Sequence, residues 1–104
     1  MKTIETIEGG VTTPRGYRAA AVHAGIKHAA DDLALLVSDA PADAAGVFTT
    51  NRVTGAPVKV CRERLAGQTS FRGVVVNSGN ANACNGEQGV RDAVRMAACA
   101  EEAT

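Results

Sequence analysis

Residues 71–104, "FRGVVVNSGNANACNGEQGVRDAVRMAACAEEAT", constrain the fold more than any other part of this 104-residue chain. Three valines in a row favour an extended, pleated backbone. An apolar run without alternation suits a strand covered on both faces. The run stops abruptly: four Asn and two Gly fall within Val76–Gly86. These residue types tolerate tight and left-handed turns. A helix pattern follows. Asn85 stands at an N-cap position with Gln88 three residues on, the spacing of a capping box. Glu87 suits the positive end of a helix dipole. Val90, Ala93, Val94 and Ala97 recur at helical spacing, and their small side chains let the helix approach a sheet closely. A strand, a tight turn and a helix place the chain in the α/β class.

The remaining segments predict further strands, paired mainly antiparallel. Tyr17–Ile26 reads as a strand, weakened by Ala19–Ala21. "DDLALLVSD", residues 31–39, is too short for a helix and reads as another strand buried on both faces. Val47–Thr50 is rich in strand formers and is expected to pair antiparallel with it across a short link. "APVKVCRERLAG", residues 56–67, is expected to begin extended, because Pro57 disfavours helical geometry in the residue before it. A short helix then ends near Gly67. Glu101 and Glu102 close the last helix where cations are favoured, and neither Gly nor Pro stops the pattern. The expectation is that residues 1–104 form a single incomplete domain, the front of a longer polypeptide.

Bulk is scarce. Tyr17, Phe48 and Phe71 are the aromatics, with no Trp. Aromatic side chains bury about 150–250 Å² each and commonly anchor a core. Here Ala and Val must do so, and the chain alone is expected to leave apolar area uncovered. Eleven Lys and Arg balance eleven Asp and Glu. That balance argues against a nucleic-acid or anionic-membrane partner. The longest apolar run, Leu33–Val37, is too short to cross a bilayer. "MKTIETIEGG" lacks the apolar core of a signal peptide, so a cytoplasmic protein is expected. Cys61, Cys84 and Cys99 have neither the number nor the spacing of a disulfide framework or zinc site. They are expected to be reduced, buried thiols, and no metal site is predicted.

The Asn-rich loop is the candidate site. A helix N-terminus carries about half a positive charge and roughly four unpaired N–H groups. Beside it, Asn amides and close-approaching glycines can receive a carboxylate or an oxyanion. The same residues also build turns with no ligand at all. Composition leaves both readings open. The stretch lacks the Lys and the Ser or Thr of a P-loop and the glycine spacing of a dinucleotide site. Other residues read as structural: Thr12–Thr13 as loop, Thr49–Thr50 as strand, and His23 and His28 as surface or hydrogen-bonded side chains without a catalytic partner. Lys59, Arg62 and Arg64, with Glu63 among them, read as a solvated face, the alternative being a cluster that helps attract a carboxylate substrate in the complete protein. Asp31 and Asp32 read as a turn before a strand.

"VNSGNANACNG" resembles the signature of the glutamate N-acetyltransferase, or ornithine acetyltransferase, family. "TTPRGYRAAAVHAGIK" is similar to the family's opening, a Pro-x-Gly-aromatic segment leading to Ala-Gly-Ile-Lys. "DDLALLVSDAPADAAGVFTTNRVTGAPV" is similar to its next block. The resemblance runs in order from about Gly10 to the end, with Tyr17 where Phe is expected and Asn85 where Thr is expected. It implies part of a layered αββα assembly with a mainly antiparallel sheet and a packed helix. It also implies transfer of an acetyl group from N-acetylornithine to glutamate in arginine biosynthesis, with acetyl-CoA a co-substrate of some members and no cofactor. The family's precursor cuts itself, and the new N-terminal Thr of the second chain is the nucleophile. That Thr, the cleavage site and the oxyanion-hole Thr-Gly pair match nothing in these residues, so none of them is assigned a catalytic role. The candidates for substrate contact are Asn77, Ser78, Gly79, Asn80 and Asn82, in a loop bordering the cleft. The implied partners are the remainder of the alpha chain and the beta chain of the same precursor, in an oligomer when complete, with small amino acids as substrates. The alternatives are a non-catalytic amino-acid-binding module or a structural subunit of a split enzyme.

Overall fold

The computed structural model of the chain describes residues 2–104. Its elements run β1 (Tyr17–Val22), β2 (Leu33–Ala42), α1 (Ala56–Gly67), β3 (Phe71–Asn77) and α2 (Gly86–Ala103). The strands form one antiparallel sheet in the order β1-β2-β3. Register is set by the central strand: Leu35 faces Ala20 on one side and Val75 on the other. Pairing of β2 with β3 is regular from Leu33 to Val37 and then breaks before Ala42. At that irregularity the Arg72 side chain donates to the carbonyls of Ser38 and Asp39, at 2.9 and 3.0 Å, taking up acceptors the ladder has left.

The sheet has two unlike faces. Side chains alternate along a strand, so Ala20, Val22, Leu33, Leu35 and Val75 share one face. The C-terminal half of α2 lies over that face, and the two enclose an apolar groove of about 630 Å³ that also takes in Met96, Cys99 and Ala103. Ala19, Ala21, Ala34, Leu36, Val74 and Val76 share the other face, and no described element packs on it. Val74 and Val76 are 54% and 53% exposed. Strands β2 and β3 are therefore not buried on both faces within these residues, contrary to the sequence expectation. The apolar pattern is there, but no described element covers the second face.

The two helices pack on each other, with α2 between α1 and the sheet. Gly89 makes their crossing close: a Cβ there would stand 3.6 Å from the Ala56 Cβ. Ala56 and Val60 on α1, with Val37 on β2, are the buried apolar side chains. The stripe on α2 is shifted from the expected one. Val90, Ala93, Met96, Ala97 and Ala100 are half-buried, whereas Val94 is exposed.

Several local expectations are corrected. The strand expected over Tyr17–Ile26 ends at Val22, because the amides beyond it turn toward Asp32. No strand forms at Val47–Thr50, and Val47 is 98% exposed. Side chains there serve the local backbone instead: Thr49 Oγ1 accepts from Asn51 N, and Asn51 Oδ1 accepts from Val53 N. Such bonds compete with a ladder. Helix α1 does not begin extended. Only Gly55 keeps extended geometry, with φ −62° and ψ 153°, and Pro57 lies in the first turn, where a missing N–H costs nothing. The three cysteines are free but exposed, since the small core closes over none of them.

The basic cluster is not simply solvated. Arg62 lies over the Phe48 ring, 5.4 Å from its centre, and donates to the Thr49 carbonyl. Arg64 meets Glu101 at 3.1 Å and so answers the unfavourable acidic end of α2.

Candidate functional site

At one end of the sheet, β1 leaves, β2 enters and β3 leaves. The loops joined to those ends are residues 23–32 and 78–85. One residue ties them together. Asp32 is 2% exposed, and its carboxylate accepts from three backbone amides: Ala24 at 2.6 Å, Ile26 at 2.8 Å and Lys27 at 2.8 Å. Gly25, with φ +90°, lets the chain bend so that these amides converge. His23 Nδ1 lies 2.8 Å from the Ala30 carbonyl and 3.3 Å from the Asp32 carboxylate. The backbone of Asp32 faces the other loop, its carbonyl accepting from Ser78 N at 2.9 Å. The hydrogen bond donated by the Lys27 amide, with those from Ala24 and Ile26 and the charge of His23, holds the Asp32 carboxyl below its ordinary value near 3.8, against the opposing effect of burial.

The Asn-rich loop is held from within and from both sides. Asn77 Nδ2 donates to the Asn80 carbonyl at 2.8 Å, and Asn80 Oδ1 accepts from Asn82 N at 3.1 Å. Asn82, at φ +46°, is the hub. Its Nδ2 donates to the Gly89 carbonyl at 2.8 Å, its Oδ1 accepts from Asn85 Nδ2 at 2.9 Å, and its carbonyl accepts from Ala56 N at 3.0 Å. The loop is thereby fastened to the starts of both helices. Asn85 precedes α2 as expected, but its side chain makes no cap bond, because its amide is committed to Asn82. The capping box is not formed either: Gln88 bonds to Asp92 and Arg91. Glu87 does lie in the first turn, 3.8 Å from Arg91.

Gly79, with φ +99°, lies under the Lys27 side chain. A Cβ there would stand 2.9 Å from Lys27 Cγ and 3.2 Å from Ile26 Cγ2. Asn77 and Asn82 are half-buried, and Ser78, Gly79 and Asn80 are exposed. On the far side of the loop, a small cavity of about 210 Å³ is lined by Arg52, Thr54, Lys59, Cys84 and Asn85 among others. The start of α1 beside it is already partnered, Ala56 N by Asn82 and Val58 N by Gly55. Thr12–Thr13 and Thr49–Thr50 lie in other loops, and no His, Cys, Asp or Glu cluster suited to a metal forms among the described residues. Asp32 is the residue that sequence reasoning underrated. The available signal was an acid set between a Gly-containing turn and a buried strand.

The sequence profile of the ArgJ family matches residues 18–104. The arginine biosynthesis bifunctional protein ArgJ of Thermosynechococcus vestitus is 56% identical over 90 residues, covering 86% of this chain and 22% of that protein. Its namesake in Nitratidesulfovibrio vulgaris is 58% identical over 79 residues, covering 75% and 20%. This chain thus spans about a quarter or less of the curated relatives it matches. Among solved structures, the ArgJ protein of Bacillus halodurans superposes with a TM-score of 0.83 at 42% identity, over 86% of this chain and 47% of that one. The ornithine acetyltransferase of Mycobacterium tuberculosis, solved with ornithine, superposes at 0.80 with 49% identity, over 85% and 46%. Shared sequence across nearly the whole length and a shared fold lead to one conclusion: the chain belongs to the ArgJ family.

Proposed function

We propose that this chain is the N-terminal part of an ornithine acetyltransferase, which moves an acetyl group from N-acetylornithine to glutamate in arginine biosynthesis. The observation that carries this is the 49% identity, over 85% of the chain, to an ornithine acetyltransferase that binds ornithine. Residues 1–104 are then one incomplete domain, completed by the rest of the alpha chain and by the beta chain of a self-cleaving precursor, in a cytoplasmic oligomer. The nucleophile is the Thr exposed by that cleavage, whose own α-amine serves as its base. It lies outside these residues, as does the oxyanion hole. This chain contributes no reacting group. It presents a fixed Asn-rich loop, Asn77–Asn82, at the border of the substrate cleft.

The test compares two proteins, the 104-residue chain and the full reading frame that contains it, each incubated with N-acetylornithine and glutamate. The full protein is expected to cleave itself and to form N-acetylglutamate, and the short chain to form none. Turnover by the short chain, or an acetylated side chain within it, would overturn the assignment of the chemistry to other residues. A full protein without turnover would overturn the activity.

A further inference from the structure

We propose that Lys27 binds the carboxylate of the amino-acid substrate, with the Ser78–Asn80 turn beside it. This rests on the acetyltransferase reading above and adds a specificity residue to it.

Three observations point to Lys27. Its backbone is fixed, because Lys27 N is one of the three amides held by the buried Asp32 carboxylate. Its side chain is directed along the Asn-rich loop: Cε lies 3.6 Å from the position a Cβ would take on Gly79. The ammonium is one bond beyond Cε. Finally, the half-buried side chain has no carboxylate partner among the described residues. The Asp32 carboxylate is already occupied by the Ala24, Ile26 and Lys27 amides. A partly desolvated cation gains from a counter-ion, and a bound carboxylate supplies one. The Ser78 hydroxyl and Asn80 amide are donors exposed on the same turn. An ammonium with flanking neutral donors suits the carboxylate of an amino acid.

The experiment uses the full-length protein and the variants Lys27→Met and Lys27→Arg. Calorimetry compares ornithine with ornithine amide, which lacks the carboxylate charge. Wild type is expected to prefer ornithine by roughly tenfold or more, the scale of a charge-assisted hydrogen bond. Lys27→Met should bring the two ligands to near parity, and Lys27→Arg should restore part of the preference. In steady-state assays, Lys27→Met should raise KM for N-acetylornithine by about tenfold with kcat within about twofold. A Lys27→Met protein that keeps the wild-type preference overturns the proposal, whether or not its unfolding temperature falls. A wild type that binds ornithine but turns nothing over overturns the activity reading alone, and the calorimetry still decides Lys27. A wild type that binds no ornithine overturns both.

Discussion

Two loops of comparable length solve the same problem in opposite ways. Residues 23–32 join β1 to β2, and residues 43–55 join β2 to α1. The first is gathered around one buried carboxylate, which takes three of its amides. The second satisfies its backbone piecemeal, through Thr49 and Asn51 side chains reaching two residues along, and is pinned to α1 where Phe48 meets Arg62. A central acceptor makes the first loop all-or-none, since these three amides depend on the same carboxylate. Local bonds make the second loop divisible, because each can fail alone. The loop organised around a single residue is also the one that abuts the Asn-rich turn, through Ser78 N and the Asp32 carbonyl.

That contrast breaks most visibly at Asp32. In the full-length protein, Asp32→Ala should destabilise the fold more than any single change in the second loop or at Gly89. Hydrogen exchange at Ala24, Ile26 and Lys27 should rise together, by on the order of tenfold or more. Exchange that rises at one amide only would show that the loop is not a unit. The same carboxylate gives a pH signature. Its folded value lies below the unfolded one, so folding is favoured by its ionised form. Protection of the three amides should hold from neutral pH down to about pH 5 and fail as pH drops past about 4, where the unfolded chain takes up the proton first. Asp32→Asn should remove that acid dependence.

Next in size is Gly89→Ala. Alanine is worth about 1 kcal/mol more than glycine in a helix interior. Here the added Cβ would stand 2.7 Å from Asn82 Oδ1 and 2.9 Å from Asn85 Cβ, at the knot that fastens the Asn-rich loop. The collision should win, with a net loss of about 1–3 kcal/mol in denaturant unfolding. A gain would mean that the knot yields easily. The smallest effect is expected at Asn51→Ala, about 0.5 kcal/mol or less by the same measurement, because the exposed loop can replace one bond with water. A loss there as large as that at Asp32 would erase the distinction between the loops.

The strand–turn–helix unit was legible because its signals are local: valines, then Asn and Gly, then a helical period of about 3.6 residues. Asn85 shows where local signals stop. Its position before α2 follows from the sequence, yet its amide goes to Asn82, and only the fold determines that choice. Val47–Thr50 has strand-forming side chains, but propensity needs a neighbouring strand, and β1 and β3 already occupy both edges of β2. Asp32 looked like any turn acid, because burial is a property of the assembled sheet end. The candidate loop is marked by its composition, whereas the approach of Lys27 to Gly79 is set only by the fold.

The alanine-lined face of the sheet has a geometric consequence. Ala19 and Ala21 on β1 and Ala34 beside them on β2 leave shallow relief, while Leu36, Val74 and Val76 rise higher toward β3. Two pleated layers settle about 10 Å apart only when their side chains together fill the gap. Alanine side chains fill little of that gap, so a layer seated on this face would have to bring the larger residues and tilt toward β1.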